Sequence, residues 1–272
     1  MKAKFWIYVF SCLMLSGIDE LMAQTISFSP TRIFFKGNPG ETLSEVITVS
    51  NSGKSTYEFI VHLQDWKRDS LGNKVYAPMG TLPASNAKNI RLSETAIKLA
   101  PGEKRNFEVG ITIPQEKEQG FGNCMLFFTQ TNAQVTEPKG KAGIGVKMSL
   151  EFGIQLFSIA DGLKNGDLNF LAFDYHPADV SGKGHGRLAV KFENTGEINK
   201  DGFLRFELTH KTTGAEIKAK PIPITIMPAD FQWIYYLMPE TLPEGEYLVV
   251  AILDAGDHHN LKVAEKNIYV KK

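Results

Sequence analysis

Cysteine is almost absent from this chain of 272 residues, which contains only two. Cys12 lies in an N-terminal segment that we expect to be removed, so Cys124 is the one thiol left. A single thiol cannot form an internal disulfide, and each domain must therefore be stabilised by core packing. Cys124 lies in an apolar run from Asn123 to Phe128, which predicts a buried structural thiol rather than a nucleophile.

Net charge is absent as well, because 30 Lys and Arg residues balance 30 Asp and Glu residues. Domains that bind nucleic acid usually present a strongly basic surface, so we predict no nucleic-acid partner. After the N-terminal segment, no apolar run is long enough to cross a membrane as a helix.

Residue groupings typical of catalysis or metal binding are also missing. The six histidines lack the spacing of zinc ligands, and His258 and His259, near Asp254 and Asp257, fit a solvated turn better than a metal site. The glycine-rich stretch 182–186 does not open a helix after a strand, as a phosphate-binding loop does. No Gly-x-Ser-x-Gly motif occurs after the N-terminal segment. We therefore predict no catalytic residues, no metal, no cofactor and no enzymatic activity.

Residues 1–23 are predicted to be a secretory signal peptide. Lys2 and Lys4 precede an apolar run from Phe5 to Ile18, and Ala23 offers a small residue for cleavage. The alternative is an uncleaved N-terminal anchor, for which the apolar run is short.

Beyond this segment, the sequence predicts strands joined by short turns. About seven segments within 26–159 carry apolar residues at alternate positions, and no helical stripe occurs, which predicts an antiparallel β-sandwich. Pro30 interrupts the first segment and indicates an edge strand that changes its pairing partner. The polar, glycine-rich stretch 160–166 predicts a domain boundary, followed by a second series of strands. We predict sandwich domains at 24–160 and 161–272.

One predicted strand, over 142–159, is longer than a sandwich needs, since such strands usually have about five or six residues. Its apolar residues recur at every second position from 144 to 156. The strand could simply supply the core of its own sheet. Alternatively, part of it lies open at an edge and pairs with a partner, inserting alternate side chains into a groove. The side chains that would be inserted are called the donor face: Ile144, Val146, Met148 and Leu150.

Four pieces of the sequence between Ile26 and Phe157 resemble the PapD-like periplasmic pilus chaperones, which have two immunoglobulin-like domains. The pieces match the family's first strand, its second strand with an asparagine turn, its Leu-x-Pro-Gly turn and the end of its long donor strand. In this chain they are Thr31 to Gly37, Ile47 to Asn51, Leu99 to Glu103 and Ile154 to Phe157.

The resemblance implies a periplasmic location and binding of pilus, fimbrial or other secreted β-rich subunits by strand donation. It places donor residues at Ile144, Val146 and Met148, and it matches Arg32 to an arginine that binds the C-terminal carboxylate of a subunit. An outer-membrane assembly protein would be a further partner, and the exposed strand could also pair with a second copy of the chain. On the sequence alone, Arg32 would be a surface arginine whose stem covers apolar neighbours.

The resemblance departs from the family pattern at one position. The family's second cleft cation, a lysine, falls on Gly153. Lys147 has the same side-chain parity and is therefore a candidate cleft charge, although it lies too far along the strand for a direct substitution.

Two pieces of the second domain, Leu188 to Gly196 and Leu242 to Tyr247, resemble cell-surface proteins that bind WxL proteins and peptidoglycan. This second resemblance implies an alternative function: a non-enzymatic cell-envelope binding module, whose site lies in the second domain and whose long strand is internal core. Exposed aromatic residues would then be expected at Phe231, Trp233, Tyr235 and Tyr236.

Overall fold

The computed structural model describes residues 25–115, 120–136, 146–178, 186–256 and 259–271. Almost every element in these ranges is a β-strand, and the strands form two sandwiches. This confirms the predicted all-β fold of two immunoglobulin-like domains in tandem. Within the same ranges, no helix is long and apolar enough to cross a membrane. The predicted signal peptide and Ile144 lie outside the described residues.

The first sandwich has two sheets and a 3₁₀ helix at Ala87–Asn89. Its described strands are β1 (Ile26–Ser29), β2 (Arg32–Gly37), β3 (Thr42–Asn51), β4 (Tyr57–Arg68), β5 (Lys74–Ala77), β6 (Ile90–Leu92), β7 (Ala96–Leu99), β8 (Lys104–Thr112), β9 (Phe121–Gln130), β10 (Gln134–Thr136), β11 (Val146–Met148) and β12 (Glu151–Ala160). One sheet has the order β1-β3-β8-β6, and the other has the order β2-β12-β9-β4-β5, with β7 also paired to β4. Strands β10 and β11 form a separate hairpin.

Alternate side chains of the two sheets meet in one apolar core. Phe107, Val109 and Ile111 of β8 are fully buried and belong to the same cluster as Cys124 and Leu126 of β9. Burying a large apolar side chain of this kind contributes about 1.5–3 kcal/mol, so the domain can do without a disulfide. Cys124 is the buried thiol that the sequence predicts, and burial raises the pKa of its thiol strongly.

Pro30 lies where the first strand changes sheets, as predicted. On one side of it, β1 pairs antiparallel with β3, and on the other side β2 pairs parallel with β12. The Ser29–Pro30 peptide bond is cis. Because proline has no N–H to donate to a ladder, it suits the point at which the chain leaves one sheet for the other. The crossing brings Arg32 next to Gln155 of the long strand.

The single long strand predicted over 142–159 is divided in two, which corrects that prediction. Strand β11 ends at Met148, β12 begins at Glu151, and Ser149 and Leu150 between them belong to neither strand. Only β12 joins the large sheet, whereas β11 pairs with β10 outside it.

The division lies opposite a bulge in the partner strand. The N–H of Gln130 bonds the carbonyl of Leu150 at 2.8 Å, but Met148 pairs with Gln134, so residues 131–133 face Ser149 alone. The Gln130 side-chain oxygen also accepts the N–H of Leu150, at 3.1 Å. Extra residues in one strand bend the ladder, and here they carry the hairpin away from the sheet.

The second sandwich packs a three-stranded sheet, in the order β13-β14-β18, on a sheet in the order β16-β15-β19-β20, with β17 also paired to β15. Its core contains Phe192, Phe206 and Tyr247, all fully buried. Its strands are β13 (Leu168–His176), β14 (Arg187–Asn194), β15 (Lys200–His210), β16 (Glu216–Lys218), β17 (Ile222–Ile226), β18 (Phe231–Leu237), β19 (Gly245–Asp254) and β20 (Lys262–Val270).

The chain between β12 and β13 passes close to a turn of the second domain. Gly166 has φ +57, in the left-handed region, and a Cβ on it would lie 2.1 Å from the Cα and N of Gly196. Two glycine backbones therefore cross here without room for a side chain.

The domains contact each other through an apolar cluster and through a turn. Trp66 and Phe157 of the first sandwich are in one buried cluster with Met227 of the second. In addition, the turn between β4 and β5 meets the edge strand β18, where the N–H of Trp233 donates to the carbonyl of Ser70 at 2.7 Å. The first domain thereby occupies part of an otherwise open edge of the second.

Candidate functional site

Arg32 lies between the two domains, at the start of β2. Its Nη1 donates to Oδ2 of Asp201 in the second domain at 2.5 Å, and the other oxygen of Asp201 accepts the hydroxyl of Thr225 at 2.6 Å. The guanidinium is partly exposed and lies 5.8 Å from the centre of the Phe34 ring. Arg32 therefore faces the second domain, where it already has a carboxylate partner.

Two further cations, Arg68 of β4 and Lys74 of β5, lie close enough to Arg32 for their charges to interact. They pair directly across β4 and β5, and both lie 5.7 Å from the centre of the Trp66 ring. Burial, and next the positive charge of Arg32, lower the pKa of Arg68. Burial lowers the pKa of Lys74, as do the charges of Arg68 and Arg32. We call Arg32, Arg68 and Lys74 the cation cluster.

Gly153, where the family's lysine would fall, borders an aromatic patch. A Cβ at Gly153 would lie 3.1 Å from Cε1 of Phe127 and 3.2 Å from Sδ of Met125. The Phe127 ring is stacked on His62 and touches Tyr76 edge-on. A side chain on residue 153 would therefore be crowded by the Phe127 ring and the Met125 thioether.

Buried polar atoms on this face of the sheet are left without partners. Oε1 of Gln155, next to Arg32 in the ladder, and Nδ1 of His62 make no hydrogen bond with any described residue. An unpaired buried polar atom costs about 1–3 kcal/mol, so a partner that supplied hydrogen bonds here would gain affinity.

The apolar face that runs from β12 into the donor face becomes more exposed towards its N-terminal end. Ile154 of β12 is 1% exposed, Leu150 is half-buried, and Met148 is 62% exposed. For Val146 and Lys147 the structure describes the backbone, which belongs to β11, but not the side chains. The predicted donor residue Ile144 lies outside the described residues.

The segment that carries this face, from β11 into the start of β12, has an open border. Pairing of β12 with β2 starts at Gln155, whose N–H bonds the carbonyl of Thr31 at 3.1 Å. From Glu151 to Ile154, β12 pairs with β9 on one side and with no described strand on the other. Strand β11 likewise pairs only with β10 among the described residues.

The second domain presents aromatic side chains on the outer face of β18. Phe231 and Tyr235 are 41% and 46% exposed, and Trp233 between them is half-buried with its ring parallel to that of Tyr235. Lys191 and Arg187 of β14 lie over these rings. The expectation for Tyr236 is wrong, because this ring points into the core and stacks on Phe206.

Metal-ligating side chains do not converge in the part of the chain that the structure describes, where no three His, Cys, Asp or Glu residues form a group. His258 lies outside that part. His259 instead contacts Lys200, with 2.7 Å between its Nε2 and the lysine Nζ.

The cation cluster could not be found by sequence motifs. Arg68 and Lys74 are far from Arg32 in the chain, and only the folding of the first sandwich brings the three charges together. The one sequence signal was Gly153 at the position of the family's lysine, and the candidate drawn from it was Lys147, whose side chain the structure does not describe.

Comparison with known proteins gives structural likeness only. No protein-family model matches the chain, and no curated protein matches it. Solved structures with a similar fold include the CsuC–CsuE chaperone–tip adhesion subunit complex of Acinetobacter baumannii, at 13% identity, over 89% of this chain and 98% of that chain, with a TM-score of 0.47. The Salmonella enterica SafB chaperone with SafA pilin is 11% identical over 91% of this chain and 97% of that chain, with a TM-score of 0.43. The E. coli chaperone DraB is 16% identical over 90% of this chain and 96% of that chain, with a TM-score of 0.42.

These neighbours are chaperones of the class that the first domain's sequence resembles. The likeness to them is one of fold. The comparisons provide no support for the second resemblance, to proteins that bind WxL proteins.

Proposed function

We propose that the protein is a periplasmic chaperone that binds pilus, fimbrial or other secreted β-rich subunits by donating the strand that carries the donor face. The observation that carries the proposal is the open border of residues 146–154 beside an increasingly exposed apolar face. An incomplete β-sandwich exposes a groove that aggregates, and an apolar strand that fills the groove removes this hazard. An outer-membrane assembly protein would receive the subunit.

The cation cluster would anchor the end of the bound subunit. A C-terminal carboxylate is an acceptor for Arg32, and Arg68 and Lys74 would supply the second positive charge that Gly153 cannot. Asp201 would then compete with the subunit for Arg32. Without a subunit, the same open border would allow two copies of the chain to associate.

The test is co-expression with a β-rich subunit encoded beside this protein, followed by measurement of soluble subunit. We expect Val146→Asp and Met148→Asp each to lower recovery by about tenfold or more, because a carboxylate would be buried without a partner. Met79, which is 50% exposed in a loop, provides the matched control as Met79→Asp. Recovery that stays at the wild-type level in both donor-face variants, with every variant folded, would rule out donation.

The same assay addresses the anchor through Arg32→Ala and Asp201→Asn. The first is expected to reduce recovery and the second to raise it, since Asp201→Asn removes the competing charge but keeps a side chain that Thr225 can bond. If both variants reduce recovery equally, the ion pair only holds the domains together.

A second candidate function is favoured by the aromatic face of β18. Exposed parallel rings flanked by cations suit stacking against sugars or against an extended peptide, so this face would bind peptidoglycan or a surface protein. Binding of the full chain to purified peptidoglycan should fall at least about fivefold in Tyr235→Ala. Tyr269→Ala, which removes an exposed tyrosine from the other sheet, should leave it unchanged. Equal binding by both variants would exclude this face.

A further inference from the structure

We propose that the open edge of β18 binds an extended acidic polypeptide, which joins the second domain as an additional strand. The inference rests on the second candidate function, the binding of a surface protein, and specifies the chemistry of that ligand. In strand addition, backbone hydrogen bonds provide the affinity and alternate side chains provide the specificity. The backbone and the side chains of β18 and of its neighbour β14 indicate both.

The backbone groups of β18 alternate between the β14 side and the open side of the strand. The N–H of Trp233 bonds the carbonyl of Ser70 in the first domain, so it points away from β14. Because the direction repeats at every second residue of an antiparallel ladder, the N–H and C=O groups of Tyr235 and Leu237 point the same way. These groups have no backbone partner in the described part of the chain. They form a short free edge beside the C-terminal half of β18.

Strand β18 lacks the features that usually prevent an edge from pairing. Its 7 residues, Phe231–Leu237, include no proline and no charged residue. Its ladder with β14 runs in regular register from one end to the other, so no bulge twists the edge away. An apolar edge without such protection is an aggregation hazard unless a partner uses it.

The inner face of an added strand would cover apolar side chains at the margin of the core. Ile234 and Tyr236 pack against the core of the second domain, but both are only half-buried. Apolar side chains on one face of the ligand would remove more of this surface from water. Since side chains of a strand alternate between its faces, we expect an apolar residue at every second position of the ligand.

The outer face of β18 indicates that the other positions of the ligand are acidic. Arg187 lies 5.2 Å from the centre of the Tyr235 ring, and Lys191 lies 5.9 Å from the centre of the Trp233 ring. Neither cation forms an ion pair with a described residue. Glu193 lies at the opposite end of the ladder, beside the first residue of β18. The positive charge is therefore next to the free edge, where it can bind carboxylates.

The site is separate from strand donation, because β11 and β12 belong to the first sandwich. A second copy of the chain fits the edge less well than an acidic ligand does. If two copies of β18 paired with each other, neither strand would bring a carboxylate to Arg187, since β18 has no charged residue.

The test is a titration of the 15N-labelled full chain with a short capped peptide in which Val and Glu alternate. We expect the backbone amide signals of Tyr235 and Leu237 to shift saturably, with a dissociation constant no weaker than about 1 mM. A peptide in which Val and Lys alternate should bind at least about tenfold more weakly, because it brings ammonium groups to Arg187. No saturable shift at these amides, or equal affinity for the two peptides, would overturn the proposal.

Two variants at one position separate the backbone edge from the ring. Tyr235→Ala and Tyr235→Pro both remove the ring, but only proline also removes the outward N–H. Proline is tolerated in an edge strand where the N–H faces away from the ladder. We expect Tyr235→Pro to bind the acidic peptide at least about tenfold more weakly than Tyr235→Ala. Leu237→Pro and Leu237→Ala repeat the comparison at the next outward N–H, and equal affinities within both folded pairs would contradict strand addition.

The same pair distinguishes this inference from the second candidate function itself. Binding of peptidoglycan by the rings does not need the N–H of residue 235, so Tyr235→Ala and Tyr235→Pro should bind peptidoglycan equally. Loss of peptide binding alone would thus overturn strand addition and leave the ring face in place. A dimer of the full chain that Tyr235→Pro abolishes, without binding of the acidic peptide, would assign the edge to a second copy and overturn the proposal.

Discussion

The Gly166→Ala variant is expected to unfold more easily than the wild type by about 3 kcal/mol or more. The added Cβ would lie 2.1 Å from the backbone of Gly196, and neither backbone can move without disturbing the start of β13 or the Asn194 turn. The left-handed φ of Gly166 adds further strain for a residue with a side chain. Urea unfolding followed by circular dichroism measures the difference.

Gly162 is the matched control for this substitution. It also has a left-handed φ, of +89, but no atom lies within 4 Å of the position that a Cβ would take there. Gly162→Ala should therefore show the conformational penalty alone, about 1 kcal/mol. If the two variants lose the same stability, the close crossing of Gly166 and Gly196 does not contribute.

A second large effect is expected from Asp65→Ala, which should lower the free energy of unfolding by about 3 kcal/mol at neutral pH. The Asp65 carboxylate is fully buried and accepts the N–H groups of Thr81 and Leu82, at 2.7 and 2.9 Å, and the hydroxyl of Ser85, at 2.6 Å. Alanine would leave these donors unpaired. As a control, Asp174→Ala removes an exposed aspartate and should lower the free energy of unfolding by no more than about 0.5 kcal/mol.

The contribution of Asp65 should depend on pH in one direction. Burial by itself raises the pKa of Asp65, but the hydrogen bonds from Leu82, Ser85 and Thr81 outweigh burial and hold the pKa below its ordinary value of 3.8. The folded state therefore favours the charged form, and this stability is present above the ordinary pKa and lost as pH falls through the folded one. We expect the free energies of unfolding of the wild type and Asp65→Ala, measured at neutral and at acidic pH, to differ less in acid. A larger difference in acid would contradict this assignment.

The fold could be predicted because its main signals are local. Alternation of apolar residues along β8 and β12 follows from the two faces of a strand, and Pro30 marked the change of sheet because proline cannot donate to a ladder. The position of Arg32 at the cleft followed from a family resemblance rather than from the residue itself.

The division of the long strand could not be predicted, for a physical reason. Residues 131–133 face Ser149 alone, so the partner strand has two extra residues at the bulge. These extra residues lie in the partner strand, so nothing interrupts the alternation of apolar residues from 144 to 156 along the long segment itself. Alternation of apolar residues shows which face of a strand each side chain takes, but not which strand the segment pairs with.

The partners of Arg32 were also beyond the sequence. Asp201 belongs to the other domain, so its proximity to Arg32 depends on how the two sandwiches pack. Lys74 approaches Arg32 within the first sandwich, from a strand that does not pair with β2. Charged side chains on exposed strand faces are common and have no spacing rule that links them across domains.

The hydrogen bond from the N–H of Trp233 to the carbonyl of Ser70 bears on how the newly made polypeptide avoids misassembly. A polypeptide emerges N-terminus first, whether from the ribosome or from an export channel, so the first sandwich can fold before β18 has been completed. When β18 forms, the turn that holds Ser70 is already in place to cap it. The order of the domains along the chain thus shortens the time for which the unpaired edge of β18 at Trp233 can pair with a neighbouring chain.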